Sequence, residues 1–218
     1  MANERPALRA PRTLVALALL AASFATASCR ETGTEPPEVV TFETPLVVGA
    51  DAELLASVQP ADVFVVPVLD ETETFGTPTE GLRRAIYAGL VQRLYSPIRM
   101  EWADAVVADL AKSGAPPSAQ EANAALGADA FLEVRVLAWD ETELESDGTV
   151  RVRLEAVLRD PADPEHPLWG YRMGRLVDVG GVSARRATHD VLVGRAVEKA
   201  AADLLALLPQ RDARSAPR

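Results

Sequence analysis

The hydrophobic positions of this chain come in short runs separated by polar, glycine- or proline-bearing breaks, and their period changes along its length. Residues 52–58 carry a brief helical pattern. Residues 62–69 (DVFVVPVL) form a Val- and Phe-rich run with the look of a buried strand, and Pro67 marks an irregularity near its end. Residues 78–95 read as a helix. Thr79 is its candidate cap, and Leu82, Ile86, Leu90 and Leu94, with Tyr87 and Val91, fall on one face at helical spacing. Ser96-Pro97 ends it. A short strand over 98–102 and a helix over 103–112 follow, broken by Gly114, Pro116 and Pro117. The next helix covers 118–126, with Ser118 and Glu121 at capping-box spacing and Gly127 at its end.

From residue 130 the period becomes two. Ala130, Leu132, Val134, Val136 and Ala138 share one face of a long strand, and Phe131, Glu133, Arg135, Leu137 and Trp139 share the other. Asp147-Gly148 is a hairpin turn signal. The return strand alternates Val150, Val152, Leu154, Ala156 and Leu158 with Arg151, Arg153, Glu155 and Arg159, giving a dry face and a mixed-charge face. Residues 168–177 predict a third antiparallel strand. Residues 183–208 carry a long amphipathic helix with Val191, Leu192, Val197, Ala200, Ala201, Leu204 and Leu208 on its apolar side. Crossover helices early in the chain imply parallel strands, and hairpins late in it imply antiparallel ones. The expected fold is therefore α/β: a mixed five-stranded sheet, parallel at the start and antiparallel at the end, with helices mainly on one face.

The amino-terminal segment obeys a different logic. Arg5, Arg9 and Arg12 precede an apolar run over 13–24, then small residues lead to Cys29, the single cysteine. That is the order of an export signal ending at a lipidation site, and the run is too short for a membrane span of about 20 residues. A thiolate at the new amino terminus is the nucleophile a lipid donor needs. Thr26 stands where Leu is usual, and Arg30 rather than Asp follows the cysteine, which favours outer-membrane sorting. The expected organisation is a lipoprotein signal over 1–28, a lipidated tether over 29–44, one α/β domain over 45–209 and a disordered tail over 210–218. The tether residues 30–44 contain Pro36-Pro37 and would span roughly 45 Å if extended. The formal charge is −10, which disfavours nucleic acid and adsorption to anionic headgroups. Membrane contact is expected through the lipid on Cys29. One cysteine leaves no intramolecular disulfide, so packing must supply the stability.

Candidate chemistry is sparse. His166 sits in an interstrand loop and His189 near the start of the last helix. Neither lies in an HExxH, a cysteine–histidine cluster or another ligating pattern. Gly174, Gly180 and Gly181 do not form a phosphate loop. The acidic stretch 140–148 misses calcium-loop spacing because Leu144 interrupts it. There is no GxSxG elbow. Trp102, Trp139 and Trp169 could line a cleft, although strand aromatics usually pack. No catalytic residue, cofactor or metal site is expected. One recurrence stands out: Asp70-Glu71-Thr72-Glu73 returns as Asp140-Glu141-Thr142-Glu143, each time just after strand residues. If both strands run parallel, Asp70, Glu71, Glu73, Asp140, Glu141 and Glu143 form one acidic rim at their carboxyl ends, where open α/β sheets place binding sites. It is a candidate partner-facing or weak cation-binding surface.

The run Val65-Val66-Pro67-Val68-Leu69 after the lipidation signal and tether, then Leu126-Gly127-Ala128-Asp129-Ala130-Phe131-Leu132, then Trp139-Asp140, then Leu168-Trp169, resembles a family of bacterial lipoproteins typified by a neisserial genome-derived surface antigen. That family is similar in fold to the amino-terminal domain of TolB and to CsgG and LpoB. The resemblance implies an envelope lipoprotein and no catalytic residues. The functional expectation is a non-enzymatic, lipid-anchored protein of the periplasm or outer membrane that binds an envelope partner or itself. The alternative is a subunit of a CsgG-like export complex. A pore hairpin needs a lipid-compatible face, and Glu133, Arg135, Arg151, Arg153 and Glu155 deny it one.

Overall fold

The computed structural model describes residues 44–212 apart from 75, 113 and 181–186. The lipidation signal, Cys29 and most of the tether lie outside the described residues. In chain order the elements are β1 (Leu46–Val47), α1 (Ala52–Val58), β2 (Asp62–Val65), β3 (Leu69–Asp70), α2 (Thr79–Gln92), β4 (Ser96–Pro97), α3 (Met100–Ala111), α4 (Ala119–Leu126), β5 (Ala130–Asp140), β6 (Thr149–Asp160), β7 (Asp163–Asp178) and α5 (His189–Leu205). The strands form one mixed sheet in the order β1-β7-β6-β5-β2-β4, with β3 also on β5. β2 runs parallel to β4 and β5, and β3 runs parallel to β5. The pairs β5–β6, β6–β7 and β1–β7 are antiparallel. The mixed sheet is thus as expected, with seven strands among the described residues rather than five; the additional ones are two-residue pieces.

The crossovers explain the helix layers. The passage β2–α2–β4 steps one way across the sheet, and β4–α3–α4–β5 steps back past β2. For a constant right-handed connection, a reversal of direction puts the helices on opposite faces. Side chains agree, because neighbours along a strand point to opposite faces. Val63, Val65, Ala130 and Leu132 join the main core with Leu82, Ile86 and Leu90 of α2 and Leu192, Ala196, Val197, Ala200, Ala201 and Leu204 of α5. Phe64 and Phe131 point the other way, into a smaller core with Ala103, Ala122 and Leu126 of α3 and α4. The main layer lies on one face, and this second layer covers only the parallel end of the other.

Local chemistry sets the boundaries. Ser118 accepts from the Glu121 N–H, and Glu121 reaches back to the Ser118 N–H, completing the capping box. Gly127 closes α4 in the left-handed region, at φ 68°. The Asp129 carboxylate then accepts from the Ala61 and Asp62 N–H groups at 2.8 and 3.0 Å, which sets the start of β2 beside the start of β5.

Several expectations are corrected. Thr79 is the first residue of α2, not its cap; Pro78 holds the cap position without a side-chain bond. The strand expected over 98–102 is absent. β4 is Ser96–Pro97, and α3 has begun by Met100. Leu94 follows α2 in a left-handed conformation (φ 67°), which takes it out of the helix stripe and leaves it exposed with Val91. Tyr95 is buried in its place, its hydroxyl donating to the Pro209 carbonyl. Val191 also faces outward. On β5 the strict alternation fails once. A bulge between Val136 and Ala138 shifts the register, so Trp139 is buried with Val152 opposite it, while Ala138 turns away from the core. An extra residue reverses parity beyond it. Before the bulge the expected register of β5 holds, with Val134 and Val136 buried, and on β6 Val152 and Leu154 are buried as expected.

Candidate functional site

The two Asp-Glu-Thr-Glu segments lie at one end of the sheet. β3 and β5 are parallel, with Asp70 opposite Val136, and Asp140 lies four residues farther along β5 in the same direction. Each Asp makes the same local turn. Asp70 Oδ1 accepts from the Thr72 N–H at 2.9 Å and the Thr72 hydroxyl at 2.7 Å. Asp140 Oδ1 accepts from the Thr142 N–H at 3.0 Å and the Thr142 hydroxyl at 2.5 Å. An Asp followed two residues later by Thr can bend a strand exit by this side-chain mimicry of a turn. The hydroxyl and then the N–H of Thr72 hold Asp70 below the ordinary carboxylate range, and those of Thr142 do the same for Asp140.

Between the two exits is a shallow cleft of about 410 Å³, lined by Thr74, Gly76, Thr77, Trp139, Asp140, Glu141 and Thr142. The Thr72 and Thr77 hydroxyls bond across its first wall at 3.0 Å. Most rim carboxylates already have partners. Glu71 faces Arg135 at 3.3 Å, and Glu143 faces Arg151 at 2.8 Å. Glu141 accepts from the Trp139 indole N–H and lies 3.0 Å from His189. Glu73 is exposed. Among the described residues no group of three His, Cys, Asp or Glu side chains is placed to hold a metal ion. The rim's chemistry is therefore that of a hydrogen-bonding, mixed-charge edge, its negative charge tempered by Arg135 and Arg151.

The loop 141–148 is anchored rather than a free tip. Leu144, which breaks the calcium-loop spacing, is fully buried in the main core. His189 adds a second tie from α5, at 3.0 Å from Glu141 and 3.5 Å from Glu145. Sequence reasoning missed this role for His189; no spacing signal links residues 141 and 189. His166 stays exposed, 2.9 Å from Asp163. The three tryptophans do not share a cleft. Trp102 is exposed on α3, Trp139 borders the rim from within, and Trp169 is buried with its indole N–H on the Leu207 carbonyl at 2.9 Å. A groove of about 890 Å³ runs between α2 and α5 past Gly81, Ala85, Gly89 and Gly194. No helix among the described residues is long and apolar enough to cross a membrane.

No family model matches the chain, and no curated protein sequence matches it. Several solved structures are similar to it. A point variant of the PelC dodecamer from Paraburkholderia phytofirmans shares 18% identity over 77% of this chain and 99% of that chain, with a TM-score of 0.49. Lipoprotein GNA1162 from Neisseria meningitidis shares 20% identity over 61% of this chain and 88% of that chain, with a TM-score of 0.44. The LpoB C-terminal domain from Salmonella enterica shares 12% identity over 53% and 82%, with a TM-score of 0.36.

Proposed function

We propose that this chain is a lipid-anchored cell-envelope protein, held to the membrane through Cys29, that works without catalysis as a protein-binding or assembly module. The observation that carries the reading is the basic, apolar and small-residue order that ends at the single cysteine. The tether behind it has the length to hold a domain clear of the headgroups. The outer membrane is the proposed destination, since Arg30 rather than Asp follows the cysteine. The rim formed by Asp70, Glu71, Glu73, Asp140, Glu141 and Glu143 is the proposed partner-facing surface. In its favour is its place at the carboxyl ends of the parallel strands, where α/β sheets bind their ligands. A weak cation site there is not proposed, because arginine and histidine already take up Glu71, Glu141 and Glu143.

The test has two arms. Labelled fatty acid should enter the wild-type protein and not Cys29→Ser; equal labelling would end the anchor reading, because no other thiol exists. In cells, reversing the charge of Glu71, Glu73, Glu141 and Glu143 together should weaken crosslinking to the partner while the circular dichroism stays native. Unchanged crosslinking would remove the rim from the function.

A further inference from the structure

The stretch after α5 is fastened to the domain at several points. The Trp169 indole N–H of β7 donates to the Leu207 carbonyl at 2.9 Å, the Arg93 guanidinium donates to the Leu208 carbonyl, and the Tyr95 hydroxyl donates to the Pro209 carbonyl at 3.1 Å. The Arg211 N–H then donates to the Arg93 carbonyl at 3.0 Å. All but the first of these bonds converge on Arg93 and Tyr95, where α2 ends. There the Tyr95 N–H reaches back to the Leu90 carbonyl and the Leu94 N–H to the Val91 carbonyl, each at 3.1 Å. That is a Schellman cap, whose left-handed place glycine usually fills. Here Leu94 holds it at φ 67°, a conformation that a side chain disfavours. The sequence pattern favours a different end. Leu82, Ile86, Leu90 and Leu94 recur at helical spacing, so one more helical turn would carry Leu94 into the buried stripe. Instead Leu94 is 44% exposed and Tyr95 is buried.

We propose that residues 207–211 are a strap that selects between two conformations of the α2 end. With the strap seated, Tyr95 is inside and Leu94 outside. With the strap lifted, α2 continues through Leu94, the leucine enters the stripe and Tyr95 leaves it. Each state has its own gain. The seated state keeps the strap bonds and the buried tyrosine; the lifted state buries Leu94 and relieves its left-handed backbone. The extension stops at once, because Pro97 biases Ser96 away from helical backbone. The added turn also draws Ser96 away from β2. Its N–H, which donates to the Ala61 carbonyl at 2.8 Å in the seated state, loses that partner, and β4 parts from β2. Gln92, Arg93 and Gln210 line the groove between α2 and α5, so the same movement reshapes one end of that groove.

The experiment is nuclear magnetic resonance with amide hydrogen exchange on the full chain. Arg93→Met with Arg211→Pro removes two strap bonds and leaves Leu94 and Tyr95 to compete. In that double variant the Leu94 carbon shifts should move from left-handed toward helical values. Exchange at Ser96 should speed roughly tenfold, while exchange at Ile86 in mid-α2 stays within about twofold of wild type. Adding Leu94→Gly favours the left-handed cap and leaves nothing to fill the stripe, so it should return the Ser96 rate to within about twofold of wild type. Leu94 still left-handed in the double variant would overturn the proposal, since the cap would then stand without the strap. So would equal acceleration at Ile86 and Ser96, which would mean that α2 unfolds rather than switches, or a Ser96 rate that Leu94→Gly fails to slow.

Discussion

Arg83 is buried to within 4% of its side-chain surface and offers a sharp test of how this sheet is held. Its Nε and Nη2 donate to the Val65 carbonyl at 3.2 and 3.0 Å, and its Nη1 donates to Asp104 of α3 at 2.7 Å. The geometry explains the need. The Val63 carbonyl accepts from Ile98 on the β4 side. Two residues on, the Val65 carbonyl faces that same side, where β4 has ended and α3 begins. The guanidinium replaces the missing strand. Arg83→Met keeps the aliphatic stem and orphans the carbonyl, at about 1–3 kcal/mol. Asp104 is half exposed, so losing the ion pair adds about 1 kcal/mol or less. The expected total is near 2 kcal/mol, and Asp104→Asn alone should cost about 1 kcal/mol or less. In urea unfolding, with a slope of about 2 kcal/mol/M, the midpoint of Arg83→Met should fall by roughly 1 M at unchanged slope. The double variant should match Arg83→Met within about 0.5 kcal/mol. An Asp104→Asn midpoint lower than that of Arg83→Met would refute the carbonyl argument and assign the energy to the charge pair.

Two glycines should respond in opposite directions. A Cβ on Gly170 would meet the Gly49 carbonyl oxygen at 2.9 Å, so Gly170→Ala should lose about 1–3 kcal/mol, while Gly194, open around its Cβ in mid-helix, should gain about 0.5–1 kcal/mol as Ala; thermal unfolding reads both. Asp70 and Asp140 titrate lower folded than unfolded, so the stability they supply is complete above the ordinary carboxylate pKa and lost as the pH falls through their depressed values, below about 4. The Thr72 and Thr142 amide resonances should move together in that window and stay still between pH 5 and 8; movement only in the higher range would contradict the assignment. Leu144→Ala should cost about 3 kcal/mol and speed amide exchange across 141–148, and unchanged exchange there would show that the plug does not hold the loop.

Period and capping chemistry carried much of this fold. The alternation over β5 and β6 placed Val134, Val136, Val152 and Leu154 inside, and Ser118, Glu121 and Gly127 marked both ends of α4. The rim was legible because parallel strands exit on one side. What escaped were features set by tertiary geometry. The bulge at 137 has no glycine to announce it, and it alone reversed Trp139 and Ala138. The second core around Phe64 and Phe131 was hidden because short α3 and α4 present small residues such as Ala103 and Ala122. Rim pairing was invisible for a simpler reason: Arg135, Arg151 and His189 reach Glu71, Glu143 and Glu141 across loops of unrelated length.

The pairing of β2 with β5 has a consequence for the order of assembly. The strands β5, β6 and β7 are joined by short loops and complete their ladders from local sequence. By contrast, the contact between Asp62 and Asp129 spans 67 residues. Chain closure over such a distance is slow relative to hairpin formation. Synthesis runs the other way, so β2 and α2 emerge first, with Val63, Val65, Leu82, Ile86 and Leu90 lacking the strand and helix that will cover them. The amino-terminal half therefore stays unpaired until β5 and α5 exist, which leaves its short apolar run ahead of Pro67 exposed to aggregation during biogenesis.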